Sequence, residues 1–402
     1  MHWHHDRQDE DSQILYILFF PYIIVTPGSR SIHQAAVNRT ISLSRLHHSI
    51  EPPIEKDTMA TTNPSSLPGP PVPPSQAQGA QIPLQSFTIP DFPPAARALK
   101  ALTLTSDIKV DTYQTELSQP FTIPDSLPSG IESLTLELFS LGYPAGFLSK
   151  LAERLPNLKS VVVYSQLFGG ISKESQEDAV EFFKLLPGLR ALHLLDVFAR
   201  PGLFKDAAKW LKYNTDDAVG HARRGLMFLE VNYTFRHEDE DFMAQIQAEE
   251  LPALIGPGLI SCSFNVAAPE DAGEDEQEKS KEGVMAFNKT LSAGLVKALT
   301  EENEEHPRGL RALNSTLFTF TGEQLGKVLK TQKNVMVLNV TMEVDPGEKS
   351  KKELLSALEG CASLEQVEVV ANPSLQFFME VCLLQRCCLD TCAFLLLPLI
   401  AL

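Results

Sequence analysis

The chain has 402 residues, an apolar share of 43% and a formal net charge of −17 at pH 7. This apolar share is large enough for a buried core, and the length allows two ordinary domains or one extended array of repeats. The negative charge argues against general binding to nucleic acid or to an anionic membrane surface, because both favour a basic protein surface. Basic proteins or peptides are therefore the favoured class of partner.

The composition of the N-terminal part of the chain is not typical of a folded domain. Residues 14–25 form an apolar run of 12 residues, whereas a membrane span needs roughly 20. The stretch before this run is mixed in charge, which is not typical of a secretory signal. The composition becomes rich in proline after Met59. We expect residues 1–58 to be a disordered upstream extension and residues 59–85 to be a disordered, Pro-rich leader.

A short apolar pattern, L-x-x-L-x-L with other apolar residues allowed, recurs nine times after residue 85. Its spacing is about 25 to 37 residues, with one interval of 51. The sequence FTIPD also occurs twice, at residues 87–91 and 121–125, shortly before the first two copies of the pattern. Repetition at this spacing predicts a stack of similar units. The nine copies begin at Leu99, Ile131, Leu158, Leu189, Leu226, Leu259, Leu310, Val335 and Leu364.

Each copy of the pattern predicts a short strand whose alternate apolar residues point to one side. Most of the intervals between the copies contain apolar residues at the i, i+3/i+4 spacing of a half-buried helix. In residues 172–187, Ser172 is the expected N-cap, and Ala179, Phe182 and Phe183 belong to the expected core face. The sequence therefore predicts an alternation of strand, turn and helix with a period of about 30 residues.

This alternation resembles the leucine-rich repeat family, most closely its ribonuclease-inhibitor-like class. The uneven spacing is similar to that of the divergent leucine-rich regions of fungal F-box-type proteins, although no F-box-like pattern precedes Phe87. The resemblance covers about residues 86–372. It implies a curved α/β solenoid with parallel strands on the concave face and helices on the convex face. The family's usual Asn or Cys after the strand is missing, since those positions read Asp107, Phe139, Gln166, Val197 and Thr234.

The strand positions between the apolar residues are expected to form a strip of small, polar side chains on the concave face. Such a strip suits a protein or peptide partner, and a solvated sheet without a partner is the alternative. Aromatic residues dominate the binding energy of many interfaces, which makes the aromatic members the expected anchors. The candidate partner-binding residues are Tyr164, His193, Phe228, Glu230, Asn232, Asn314 and Asn339.

Acidic residues are concentrated in residues 238–250, 270–282 and 301–305. The second run accounts for the long interval between two copies of the pattern, so residues 267–283 are predicted to be an inserted acidic loop. A basic partner for these runs and plain solvation are both open. Beyond the last copy, residues 373–402 form an apolar, Cys-rich tail.

No catalytic, metal or cofactor site is predicted. His193 has no Ser or Cys partner at a recognisable spacing, the acidic stretch at 237–241 lacks the alternating oxygens and glycine turn of a calcium loop, and no phosphate-binding glycine loop is present. The six cysteines, four of them between Cys382 and Cys392, are typical of a cytosolic or nuclear protein rather than of a disulfide framework.

The sequence therefore favours a noncatalytic scaffold for protein interaction, located in the cytoplasm or nucleus. Two alternatives stay open. One is the substrate-recognition subunit of a ubiquitin ligase, and the other is a membrane-associated protein held by its apolar termini.

Overall fold

The computed structural model describes residues 79–212, 225–235, 242–267, 291–301, 309–343 and 348–372. All of them belong to the compact unit Pro53–Leu402. Ten strands make one sheet in this unit. They are β1 Gly79–Leu84, β2 Ala101–Ser106, β3 Ser133–Glu137, β4 Ser160–Phe168, β5 Ala191–Ala199, β6 Phe228–Thr234, β7 Ser261–Ala267, β8 Ala312–Phe320, β9 Val337–Glu343 and β10 Gln366–Asn372.

The sheet follows the order of the chain. Each strand pairs in parallel with the strand before it and the strand after it, from β1 to β10. The register aligns equivalent positions of the repeated pattern, so that Leu104, Leu136 and Val163 lie side by side. Sequential parallel strands of this kind are the architecture of a curved, leucine-rich-repeat-like α/β solenoid, and the predicted fold class is confirmed.

Helices fill most of the connections between the strands. The apolar side chains of the strands and helices form one continuous buried cluster, so the helices pack on the apolar side of the sheet. Short 3₁₀ turns lie at Pro94–Ala98 and Leu251–Leu254. The α-helices are α1 Tyr113–Leu117, α2 Phe147–Arg154, α3 Lys173–Lys184, α4 Leu203–Leu211, α5 Phe242–Gln245, α6 Ser292–Thr300, α7 Gly322–Thr331 and α8 Glu348–Glu359.

The ordered array begins earlier than the sequence predicted. Strand β1 lies inside residues 59–85, which we assigned to the Pro-rich leader, and its six residues pair with β2. This strand lacks the L-x-x-L-x-L pattern. Among the described strands it is at the edge of the sheet, which is where a proline such as Pro83 is tolerated because one side of the strand needs no ladder hydrogen bonds.

The two FTIPD copies pair with each other. Thr88 and Thr122 form a parallel bridge, and the Ile89 N–H donates to the Thr122 carbonyl at 2.9 Å. The two phenylalanines differ in their surroundings. Phe87 is buried against the rings of Tyr113, Phe139, Tyr143 and Phe147. Phe121 is partly buried, and its recorded ring contact is with Phe147 at 5.5 Å.

Two of the helices are capped by an acid that comes from later in the chain. The N-cap of α2 is Gly146 with φ of 86°, which offers no side chain. The buried carboxylate of Asp178, on α3, accepts instead from the backbone N–H groups of Leu148 and Ser149 at 2.9 and 3.1 Å. In the same way, Glu250 accepts from the N–H of Gly202, the left-handed N-cap of α4. Helix α3 has the N-cap predicted for it, because the Ser172 hydroxyl accepts from the Ser175 N–H.

The same backbone irregularity occurs at the end of β3 and within the two strands that follow it, β4 and β5. Leu138, Ser165 and Asp196 have φ of 63°, 48° and 50°. They occupy equivalent positions, because the residues before them lie side by side in the register of β3, β4 and β5. A non-glycine residue in this region costs about 1–3 kcal/mol, so its repetition indicates a fixed bend of the backbone. The Asp196 carboxylate supports the bend by accepting from the Thr234 N–H at 2.6 Å.

Gln166 lies at one of the positions where the resembled family has Asn or Cys. Gln166 is buried, and its Nε2 donates to the carbonyls of Leu136 and Tyr164 at 2.8 and 3.3 Å. Its Oε1 accepts from the Tyr143 hydroxyl at 2.5 Å. The side-chain amide therefore satisfies backbone acceptors next to the bend, which lies after β3 and within β4.

Candidate functional site

The side of the sheet that faces away from the helices is called the strand face here. It consists of the outward residues of β1 to β10. In β2 to β9 most outward residues are partly exposed and most of the residues between them are buried, whereas in β1 and β10 the residues between them are mostly only partly buried. This alternation agrees with the strip predicted from the sequence. The middle row of the strand face, in register, reads Gln81, Thr103, Thr135, Val162, His193, Glu230, Ser263, Asn314, Asn339 and Glu368.

Three predicted site residues form one hydrogen-bonded group on β5 and β6. His193 Nδ1 lies 2.7 Å from Glu230 Oε2, and Asn232 Nδ2 donates to Glu230 Oε1 at 2.6 Å. The hydrogen bond with His193 is the main cause that lowers the pKa of the Glu230 carboxyl, and burial partly opposes it. The Glu230 side chain is 40% exposed, so the group presents a held carboxylate to solvent.

Tyr164 lies on the next row of the strand face, beside Glu137 in the register of β3 and β4. Its ring is partly buried, and its hydroxyl has no hydrogen-bond partner among the residues that the structure describes. Burial raises the pKa of this hydroxyl, and the nearby carboxylates of Asp196 and Glu137 raise it further. The side chain is therefore a neutral aromatic group next to negative charge.

The other predicted residues differ in how far a partner can reach them. Phe228 is only 9% exposed, and it lies between Ala191 and Ser261 in the register, so little of its ring is available for contact. Asn314 and Asn339 lie side by side on β8 and β9. Their amide oxygens are buried and have no hydrogen-bond partner among the described residues. No hydrogen bond within that part of the chain holds these two side chains in place.

The charges on the strands have one sign. None of the ten described strands contains a Lys or an Arg. The strands contain five acids, namely Glu137, Asp196, Glu230, Glu343 and Glu368. Glu137 and Asp196 were not among the predicted site residues. Glu137 occupies the third outward position of its strand, and that position was the available signal. The bend that places Asp196 has no signature in the sequence.

Other candidate sites are weaker. Within the described residues there is no group of three or more His, Cys, Asp or Glu side chains that could hold a metal ion. An open groove of about 740 Å³ lies at the N-terminal ends of β7 to β10 and is lined mainly by Ile260, Arg311, Met336 and Glu365. No described helix is long and apolar enough to cross a membrane.

The acidic runs lie largely outside the described residues. This applies to most of the predicted inserted loop 267–283 and to 302–305 of the third run, as well as to the N-terminal extension and the tail 373–402. Glu250, at the end of the first run, is described and is 5% exposed. Its carboxylate serves the helix cap of α4 rather than an acidic surface.

Among known proteins, similarity was found only to solved structures. No family model matches the chain, and no curated protein matches it. An internalin of Listeria monocytogenes is 10% identical, with a TM-score of 0.33 over 71% of this chain and 66% of that protein. The chain thus spans slightly less than two thirds of the internalin.

A leucine-rich repeat protein of Leptospira interrogans is similar at 12% identity, with a TM-score of 0.31 and coverage of 74% of each chain. Superposition at these scores carries no functional argument. The strand order and the repeated register of this chain carry the fold assignment instead.

Proposed function

We propose that the chain is a noncatalytic protein-interaction scaffold that binds a protein or peptide through its strand face. The observation that carries the proposal is the composition of that face. It combines a partly exposed aromatic ring and a held carboxylate with small side chains, and its described strands contain no Lys or Arg. Protein interfaces are commonly depleted in lysine and enriched in aromatic residues.

The structural role of the sheet does not require such a face. The apolar core is complete on the helix side of the strands, and flexible lysines on the outward positions would keep the sheet soluble. Small polar residues such as Ser133, Thr135, Ser263 and Asn314 instead leave the backbone open to close approach. Asparagine and serine side chains also offer adaptable hydrogen bonds to a partner.

The narrower roles considered in the sequence stay predictions. Binding through the acidic runs, recruitment to a ubiquitin ligase and membrane association are favoured by no observation among the described residues. The strand face is therefore the part of the proposal that an experiment tests first.

The test is selection of peptides from a random displayed library on the full chain, followed by binding to two variants with the same substitution. Thr135→Arg places a long cation on the strand face, whereas Thr115→Arg places it on an exposed position of α1. We expect the selected peptides to lose at least about tenfold in affinity for Thr135→Arg and to retain affinity for Thr115→Arg. Peptides that bind both variants equally well contradict the proposal.

A further inference from the structure

We infer that the strand face between β3 and β6 receives an extended peptide segment of a partner protein and binds one of its cationic side chains, arginine or lysine, between Glu137 and Tyr164. This inference rests on the proposed function and adds the chemistry of the partner. Charge complementarity favours this occupant over other peptides, since strands β3 to β6 carry three carboxylates and no Lys or Arg.

The two side chains of this subsite are adjacent in the sheet. Glu137 and Tyr164 are register partners on β3 and β4, and outward side chains of directly neighbouring strands lie about 5 Å apart. A guanidinium or ammonium group is attracted to the face of an aromatic ring. A carboxylate beside the ring strengthens the preference for a cation and excludes an anionic side chain.

Glu137 is available for a ligand in a way that the neighbouring acid is not. Its Oε2 accepts from the Thr105 hydroxyl at 2.9 Å, and no other hydrogen bond to its carboxylate occurs among the described residues. Asp196 already accepts from both the backbone and the hydroxyl of Thr234. Asp196 therefore contributes negative charge near Tyr164, while Glu137 has acceptor capacity left for an N–H donor.

A second carboxylate lies further along the same path. Glu230 on β6 is held by His193 and Asn232 but remains 40% exposed. Three strand spacings separate β3 from β6, which is about 14 Å, and Glu230 is also offset by two residues along the strand, which is about 7 Å. The direct separation from Glu137 is therefore about 16 Å, which an extended peptide covers in about five residues. The strand face thus fits a segment with two cations about five residues apart, the first at Glu137 and Tyr164 and the second at Glu230.

The experiment measures fluorescence anisotropy of labelled Gly-Ser peptides with the full chain at low and high salt. The probe carries two arginines about five residues apart, and matched probes carry lysine, glutamine or glutamate at the same positions. We expect the arginine or lysine probe to bind, the other two to bind at least about tenfold more weakly, and salt to weaken the binding. Preference for either cation supports the inference.

Variants then separate the subsite from the overall charge of the chain. We expect Glu137→Gln to weaken binding of the cationic probe about three- to fivefold, and Tyr164→Ala to weaken it about threefold or more. Tyr164→Phe keeps the ring and should bind like the parent chain. Glu177→Gln makes the same charge change on an exposed position of α3, and it should also bind like the parent. Circular dichroism of each variant verifies folding.

The possible failures are distinguishable. If Glu137→Gln weakens the cationic probe no more than Glu177→Gln does, the effect is that of net charge and the subsite is overturned. If selected peptides are sensitive to Thr135→Arg but are not enriched in Arg or Lys, the subsite is overturned and the proposed function stands. If no peptide distinguishes Thr135→Arg from Thr115→Arg, the proposed function fails and this inference fails with it.

Discussion

The strand face and the helix side of the array differ in the charged residues that they expose to water. The described helices carry basic and acidic residues in similar numbers, and several form surface ion pairs such as Lys173–Glu177 and Lys327–Glu323. The ten described strands carry acids and no Lys or Arg. Solubility alone is served by the mixed pattern. The difference therefore indicates that the outward strand positions are restricted by something other than solubility.

From this contrast we expect substitutions in different parts of the molecule to affect either stability or binding. Changes in the core and at the helix caps should lower stability, and changes on the strand face should lower binding while leaving stability nearly unchanged. Measurements at individual positions test that division.

The largest expected loss of stability comes from a substitution in the first copy of the repeated sequence FTIPD, whose phenylalanine is buried. Phe87→Ala removes a ring that contacts four others in the core, and we expect it to lower the free energy of unfolding by about 3–5 kcal/mol. Phe121→Ala removes the equivalent ring of the second copy, which is only partly buried, and should cost about half as much or less. Guanidinium unfolding followed by circular dichroism measures both. Equal losses would show that the two copies are packed alike.

A smaller loss is expected from the cap that α3 provides for α2. Asp178→Ala leaves the N–H groups of Leu148 and Ser149 without their acceptor, and we expect a loss of about 2 kcal/mol. Asp178→Asn keeps an acceptor oxygen and should cost less. Glu177→Ala, next to it on the exposed side of the helix, is the control and should change stability by less than about 0.5 kcal/mol. An equal effect of Asp178→Ala and Glu177→Ala would exclude the cap.

The smallest effect is expected on the strand face and depends on pH. The folded-state pKa of Glu230 is lowered, first by its hydrogen bond with His193. Its contribution to stability is therefore present above the unfolded pKa of about 4.3 and is lost as the pH falls through the lower folded pKa. Because the side chain is 40% exposed, the contribution should be below about 1 kcal/mol.

Comparison of Glu230→Gln with the parent chain by thermal unfolding tests this pH dependence. The difference in stability should be measurable near about pH 6 and should shrink towards about pH 3. Glu368→Gln is the matched control on β10, since its carboxylate has no hydrogen-bond partner within the described residues, and the difference between the two variants isolates the effect of the hydrogen bond with His193. A difference for Glu230→Gln that grows as the pH falls would contradict the assignment.

The fold was predictable because its signal is repeated. Nine copies of one apolar pattern place the strands β2 to β10, and the buried residues of β4, Val161 and Val163, lie where the pattern expects them. The exception is β1, whose sequence GAQIPL lacks the pattern. As an edge strand, it is specified by pairing with β2 rather than by a periodicity of its own.

The candidate site was predictable only in part. Alternation places His193, Glu230, Asn232 and Tyr164 on one face, and the structure joins the first three by hydrogen bonds. The bend at Asp196 comes from a backbone conformation that no local signal announces for a non-glycine residue. The caps at α2 and α4 join residues 30 and 48 positions apart, which a search of neighbouring positions does not find.

These long-range caps give the array a direction. Helix α2 starts at a glycine, and its first N–H groups find their acceptor in Asp178 of the following unit. The Gly202 N–H likewise finds its acceptor in Glu250. During synthesis from the N-terminus, the start of each of these helices is therefore made before the acid that completes it. Assembly should trail translation by one unit here, and a chain cut short just after α2 should have a frayed last helix. A chain shortened from its beginning to Gly79, where β1 starts, keeps both caps.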